Sequence, residues 1–401
     1  MRNELILIFA LLTLPIQLLA QEPPLSVAKA EKMERQNALT ATALYSTQVT
    51  AATRPGDLLA QEPVTGYELL PGVKAVRIAY HSLDATGRDV VTSAAVLLPP
   101  GVAPSEGWPV IAWAHGTSGV ARQCAPSLMK DLEYADEGLK DMLRAGFAIV
   151  ATDYAGLGTA GPHQWVDKRA QAHDVIYSLP AARKAVPSLG ARWVVDGHSQ
   201  GGLTAWGVGE LESSLDDPGF LGTVSVSGAI RLEPFLDLMD HTQGGLAMYV
   251  AYMAWALHAR YPDFKPEDLL TEQAMQRYPR VTTQGCWDYG YASFEGMPQG
   301  GALKRNWRQN PYLQRFAKEN ALATMPVRKP LLVLSGEADL SVPISGVRET
   351  VARACRNGIA LTFKSYPGLD HDPTMTNSTP DQLAWIRDRF AGKAAASNCP
   401  R

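Results

Sequence analysis

The chain is expected to fold as α/β: a mostly parallel sheet flanked by helices, interrupted by one long, largely helical insertion. Two observations carry that expectation. From residue 109 onward, short β-branched apolar runs alternate with segments of helical period, the pattern of successive βαβ units. At one strand-to-helix junction, Gly197-His198-Ser199-Gln200-Gly201 sets a serine between glycines, in a turn where neighbouring side chains would collide.

Residues 1–20 read as a leader. Met1-Arg2-Asn3 opens with a positive charge, residues 5–19 are almost wholly apolar, and Leu18-Leu19-Ala20 precedes Gln21 as a signal-peptidase site does. The run falls short of the ~20 apolar residues that span a bilayer. The expectation is an exported protein, secreted or periplasmic.

Residues 21–230 are expected to form the first part of the core. Within them, 21–65 read as an N-terminal arm, and 75–80 with 90–98 as a hairpin around Asp84-Ala85-Thr86-Gly87-Arg88. A strand follows at 109–114, a helix at 130–144, a strand at 147–153 and a helix at 166–186. Residues 191–196 read as the strand before the serine turn, 202–211 as the helix after it, and 222–230 as the next strand. The rhythm breaks over 231–327, read as an inserted cap. Inside it, 245–257 is apolar nearly all round, which suits either ordinary core or the wall of an acyl-binding pocket. Residues 328–401 resume the core with strands at 330–335 and 361–366 and helices at 344–356 and 379–390.

The formal net charge is −3 with both signs interspersed, and no basic stripe suggests a nucleic-acid partner. The four cysteines, Cys124, Cys286, Cys355 and Cys399, show no C-x-x-C spacing and no clustering with histidine. In an exported chain that favours two disulfides over a metal site. Joining Cys124 to Cys286 would tie the core to the insertion, and joining Cys355 to Cys399 would staple the tail. Three pairings are possible, and the spacing does not choose among them.

Serine alone is a poor nucleophile. It needs a base, and the base needs an orienting carboxylate. Residues 331–339 end a strand in Ser335-Gly336-Glu337-Ala338-Asp339, and Ser365-Tyr366-Pro367-Gly368-Leu369-Asp370-His371 ends another in a loop carrying a histidine. Asp339 is the candidate acid and His371 the candidate base. Glu337 competes with Asp339 but lies nearer the strand end. Attack on an ester creates an oxyanion, best held by fixed backbone N–H groups. Gln200, following Ser199, offers one. Thr117 in His115-Gly116-Thr117-Ser118-Gly119 offers the other, with Gly116 the alternative. His198 is read as packing, and Asp153 as structural.

The order Ser…Asp…His is that of an α/β-hydrolase. His115-Gly116-Thr117, Thr152-Asp153-Tyr154 with Gly156-Leu157-Gly158, Gly197-His198-Ser199-Gln200-Gly201-Gly202, and Gly336-Glu337-Ala338-Asp339 with Val342-Pro343 together resemble the secretory lipase family of exported α/β-hydrolases. The resemblance implies hydrolysis of carboxylic esters or triacylglycerols through Ser199, Asp339 and His371, without a cofactor or metal. It implies a small-molecule or lipid ester as substrate and at most transient contact with a lipid surface. The 231–327 insertion sits where that family carries its cap. Two other readings stand beside it: a secreted serine peptidase of the same fold, and a catalytically silent binding protein. Against the first, the chain shows no propeller repeats. Against the second, binding requires none of the three residues.

Overall fold

A computed structural model describes residues 24–242 and 244–399; the leader expected at 1–20 lies outside them. In chain order the elements are α1 (Val27–Asn37), β1 (Leu58–Val64), β2 (Lys74–Leu83), β3 (Asp89–Leu98), β4 (Trp108–Ala114), α2 (Lys140–Arg144), β5 (Ala148–Thr152) and α3 (Lys168–Ala185). Then come β6 (Leu189–His198), α4 (Gln200–Leu215) and β7 (Phe220–Val226). The insertion contributes α5 (Leu232–His241), α6 (Met248–Arg260), α7 (Glu272–Met275), α8 (Tyr278–Thr283), α9 (Trp287–Phe294) and α10 (Pro311–Glu319). The chain closes with β8 (Leu331–Gly336), α11 (Ile344–Arg356), β9 (Leu361–Tyr366) and α12 (His371–Phe390).

Among the described residues the strands form one nine-stranded sheet in the order β1-β2-β3-β5-β4-β6-β7-β8-β9. The first three strands are antiparallel, and every pairing from β5 to β9 is parallel. Helices cover both faces of the parallel part, so its central strands are buried along most of their length instead of alternating in and out. Val110, Ile111, Ala112 and Ala114 of β4 are fully buried. The parallel register delivers the carboxyl ends of β4, β6, β8 and β9 to one edge, where an α/β sheet places its chemistry.

Several elements differ from the sequence reading. Residues 58–64, expected within an N-terminal arm, form edge strand β1 on β2. Pro63 is tolerated there because an edge strand has one unpaired side. The helix expected at 130–144 shrinks to α2. Ahead of it, Leu132 (φ 54°) and Glu133 (φ 65°) adopt left-handed backbone, and residues 135–139 make a single π-helical turn. Gly138 turns there at φ 148°, where a Cβ would stand 2.8 Å from Met375 Cε. The turn drives Tyr134 into the interior, 7% exposed. Finally, α12 starts at His371 and not at 379. Asp370 caps it by accepting the His371 N–H at 2.7 Å, and Pro373 falls in the first turn, where no N–H is needed.

The cysteines pair as Cys124–Cys286 and Cys355–Cys399. The first joins the loop after β4 to the start of α9. Glu34 of α1 caps the same helix, its carboxylate accepting the Cys286 and Tyr289 N–H groups at 3.0 and 2.8 Å.

Candidate active site

Ser199 sits between β6 and α4 with φ 57° and ψ −121°, a backbone conformation costly for a non-glycine residue. The flanking glycines are obligatory by contact. A Cβ on Gly197 would lie 2.3 Å from the Gly201 carbonyl oxygen, and one on Gly201 would lie 1.8 Å from that of Ala114. The Ser199 N–H donates to the Val226 carbonyl at 2.9 Å, tying the turn to β7. The hydroxyl is thereby raised at the sheet edge.

His371, at the head of α12, brings its Nε2 to 2.8 Å from Ser199 Oγ. Its Nδ1 lies 2.9 Å from Asp339 Oδ2 and 3.1 Å from Oδ1. Asp339 is in turn held by the Ser341 and Val342 N–H groups at 2.9 and 2.7 Å. Burial by itself would raise the Asp339 carboxyl, but the His371 hydrogen bond and charge and the two N–H donors bring it below the usual carboxylate range. For His371, burial would lower the imidazole. The hydrogen bond and charge of Asp339, with Asp372 and Asp370 nearby, override that and raise it above its ordinary value of 6.5. Glu337 is elsewhere, its carboxylate accepting from Ser365 Oγ at 2.7 Å and Arg348 at 3.1 Å on the surface. The structure thus brings Ser199, His371 and Asp339 into one hydrogen-bonded chain and leaves Glu337 out.

His198 packs beneath this chain. Its Nε2 faces the His371 carbonyl oxygen at 3.3 Å, so that nitrogen carries the proton and Nδ1 accepts from Tyr134 Oη at 3.0 Å. Burial, with the neighbouring His371, pushes its pKa down to about 3. Asp153 is likewise engaged, bound to the Ser127 N–H at 2.7 Å and Ser93 Oγ at 2.6 Å. His198, His371 and Asp372 lie close enough to share an ion. Yet all four ring nitrogens are already hydrogen-bonded, which leaves Asp372 alone with an open ligand atom.

Gln200 is the first residue of α4, and its backbone N–H has no acceptor among the described residues; the same holds for Thr117. The Gly116 carbonyl is turned toward His115 Nδ1, 2.6 Å away. Because carbonyl and N–H point oppositely across a trans peptide, the Thr117 N–H is directed away from that ring.

These groups border a cavity of about 380 Å³ whose wall includes Thr117, Ser199, Leu246, Tyr249, Trp287, Leu340 and His371. Glu133, Glu137 and Asp372 give it an acidic rim. Burial first, then the charges of Asp372 and Asp131, push the Glu137 pKa up to about 7. The apolar run at 245–257 divides between core and cavity wall. Met248 and Met253 are fully buried core, whereas Leu246 and Tyr249 line the cavity. Tyr134, Tyr249 and Trp287 carry no motif, and only the closed fold brings them to the serine.

Comparison with known proteins matches the secretory lipase family over residues 131–398. The secreted triacylglycerol lipase LIP3 of Malassezia globosa is 26% identical over 350 residues, covering 81% of this chain and 75% of that protein. Among solved structures, Candida antarctica lipase A in its closed state superposes with a TM-score of 0.75 at 15% identity, covering 90% of this chain and 89% of the other. The rice cell wall degrading esterase LipA from Xanthomonas oryzae superposes with a TM-score of 0.70 at 18% identity, covering 85% and 99%. At such identities the superpositions establish a shared fold.

Proposed function

Because the chain belongs to the secretory lipase family, it is an exported carboxylic ester hydrolase, and we propose that Ser199, His371 and Asp339 carry its reaction through an acyl-enzyme. The observation that supports this reading above all is the unbroken contact from Ser199 Oγ through both His371 nitrogens to Asp339. His371 Nε2 takes the hydroxyl proton as Ser199 attacks the ester, then gives it to the departing alcohol; water repeats the cycle on the acyl-enzyme. Asp339 holds the proton on Nδ1 so that Nε2 stays free to accept. The Gln200 and Thr117 N–H groups receive the oxyanion. Residues 231–327 act as the cap over this site, with core on either side at 21–230 and 328–401. Substrates are esters with an apolar acyl group, the triacylglycerol named for the Malassezia relative among them.

The test is a ladder of p-nitrophenyl esters from acetyl to palmitoyl beside a panel of peptide amides. Hydrolysis of esters with negligible peptide cleavage is expected; preferential peptide cleavage would overturn the reading in favour of a peptidase. The cap's part is checked by Leu246→Ala and Tyr249→Ala. Each buried methylene is worth ~0.8 kcal/mol, about a factor of four. Shortening either wall should change the ratio of long-chain to acetyl rates by about tenfold while the acetyl rate moves little. Met253→Leu, a volume-conserving change behind the wall, should leave the profile unaltered.

Nucleophilic attack requires neutral His371. Since Asp339 raises the His371 pKa, the acid limb of the kcat/KM profile should lie above the ordinary imidazole value of 6.5, with activity rising as pH increases through it. A limb below that value would contradict the Asp339 pairing.

A further inference from the structure

The two proposed oxyanion donors are joined by their side chains as well as by their task. Trp165 Nε1–H donates to Thr117 Oγ1 at 3.0 Å. Thr117 Oγ1–H then donates to Gln200 Oε1, also at 3.0 Å. Gln200 Nε2 reaches His163 Nε2 at 3.2 Å, and His163 Nδ1 lies 3.2 Å from the Ala155 carbonyl oxygen. The direction of every bond follows from chemistry. The indole can only donate, and the Ala155 carbonyl can only accept. His163 therefore carries its proton on Nδ1 and presents a bare Nε2 to the Gln200 amide, whose oxygen must then face Thr117. Burial, pushing the His163 pKa down to about 3, keeps the ring neutral and the chain intact.

The four side chains are almost solvent-free: Thr117 is 8% exposed, and Trp165, His163 and Gln200 are each 1% exposed. The backbone is bent to place them. Val166, just after Trp165, is held at φ 48°. Gly156 lets the His163 backbone approach so closely that a Cβ there would stand 2.3 Å from the His163 main-chain nitrogen. The insertion presses on both ends of the chain. Tyr249 of α6 stacks on Trp165 at 5.8 Å between ring centroids, and Trp255 Nε1 donates to the His163 carbonyl at 3.1 Å. On the far side, the Trp287 N–H donates to the Ser118 carbonyl at 3.0 Å, next to the Cys124–Cys286 bridge.

We infer that Trp165 and His163 are positioning residues for the oxyanion hole, and that the 231–327 segment holds the Thr117 loop in its working register besides walling the pocket. The inference rests on the serine-hydrolase reading above. Its logic is electrostatic: N–H donors stabilise a developing oxyanion only when fixed before the reaction, and the His115 contact that turns the Gly116–Thr117 peptide does not tie it to Gln200. Thr117 and Gln200 lie on different elements, 83 residues apart, and their side-chain bond locks the two N–H groups to each other.

The test uses Trp165→Phe, which removes the indole N–H but keeps an aromatic ring, His163→Leu, which deletes the Gln200 acceptor, and Thr117→Val, which keeps shape but removes the hydroxyl, with Thr117→Ser as the conservative rescue. Loss of a whole oxyanion donor costs ~10²–10³ in kcat, so loosening one should lower kcat by about 10- to 100-fold with KM nearly constant. Affinity for an alkyl boronic acid, a tetrahedral mimic, should fall in parallel, and the acid limb set by His371 should stay in place. Thr117→Ser should restore most of the rate. Adding Trp165→Phe to Thr117→Val should cost nothing more, because both break the same chain. Rates are taken per site titrated with an organophosphonate. Unchanged kcat with a lower Tm would reduce these residues to ordinary packing and overturn the inference, as would fully multiplicative losses in the double variant. Failure of the organophosphonate to label Ser199 in the wild type is a separate result, and it removes the serine reading itself.

Discussion

Ser199→Ala should extinguish ester hydrolysis, lowering kcat by on the order of 10⁶, as removal of a serine nucleophile does in hydrolases of this chemistry. The residual rate should reflect only binding and the oxyanion donors. An organophosphonate should add one label per wild-type chain, on the peptide that contains Ser199, and none to the variant. Among the described residues, Ser199 alone of the serines combines a positive-φ backbone at a strand-to-helix turn with an imidazole nitrogen 2.8 Å away. Label recovered on any other serine would show that the nucleophile has been misassigned. The alanine chain should fold normally, because the turn is set by Gly197, Gly201 and the Ser199 N–H bond to Val226 rather than by the hydroxyl.

Asp339→Asn should cost about 10⁴ in kcat, since an amide facing Nδ1 stabilises the wrong imidazole tautomer. The same change should move the acid limb of the pH profile downward, because the group that raises the His371 pKa has been neutralised. Glu337→Gln should alter turnover by less than about threefold, within the range of a surface pair, since Glu337 is bound to Arg348 and Ser365. Kinetics of the two variants, with circular dichroism to verify folding, decide between them. If Glu337→Gln were the more damaging change, Asp339 would lose its proposed role.

The candidate site was readable in the chain to the extent that its constraints are local. A serine lifted by a tight turn demands glycine at fixed offsets, and Gly197 and Gly201 stand there for the contacts a Cβ would make. Strands of a parallel sheet buried on both faces must be apolar runs, so β4, β6 and β8 were visible, and with them the ends from which Thr117, Ser199 and Asp339 project. The segment ahead of residue 379, where a helix was expected to start, is already helical: α12 starts at His371 under the Asp370 cap, with Pro373 in its first turn, where no N–H is needed. The helix expected at 130–144 shortens to α2, because Gly138 turns at φ 148° just ahead of it.

Taken alone, the chain determined the α/β class, the serine turn, the order of its three candidate residues and the even cysteine count. Each follows from backbone sterics and burial period acting over a few residues. Only the tertiary structure decided that β1 would close the sheet edge and that Cys124 would meet Cys286. It also turned Tyr134 inward onto His198, made Leu246 and Tyr249 the cavity wall, and set Trp165 and His163 behind the oxyanion donors. Beyond the β1 pairing, the His163–Gln200, Trp165–Thr117, Tyr134–His198 and Cys124–Cys286 contacts join positions 37, 48, 64 and 162 residues apart. No spacing rule reaches so far, because which distant surfaces meet depends on how the whole chain buries its apolar area while satisfying each buried donor and acceptor.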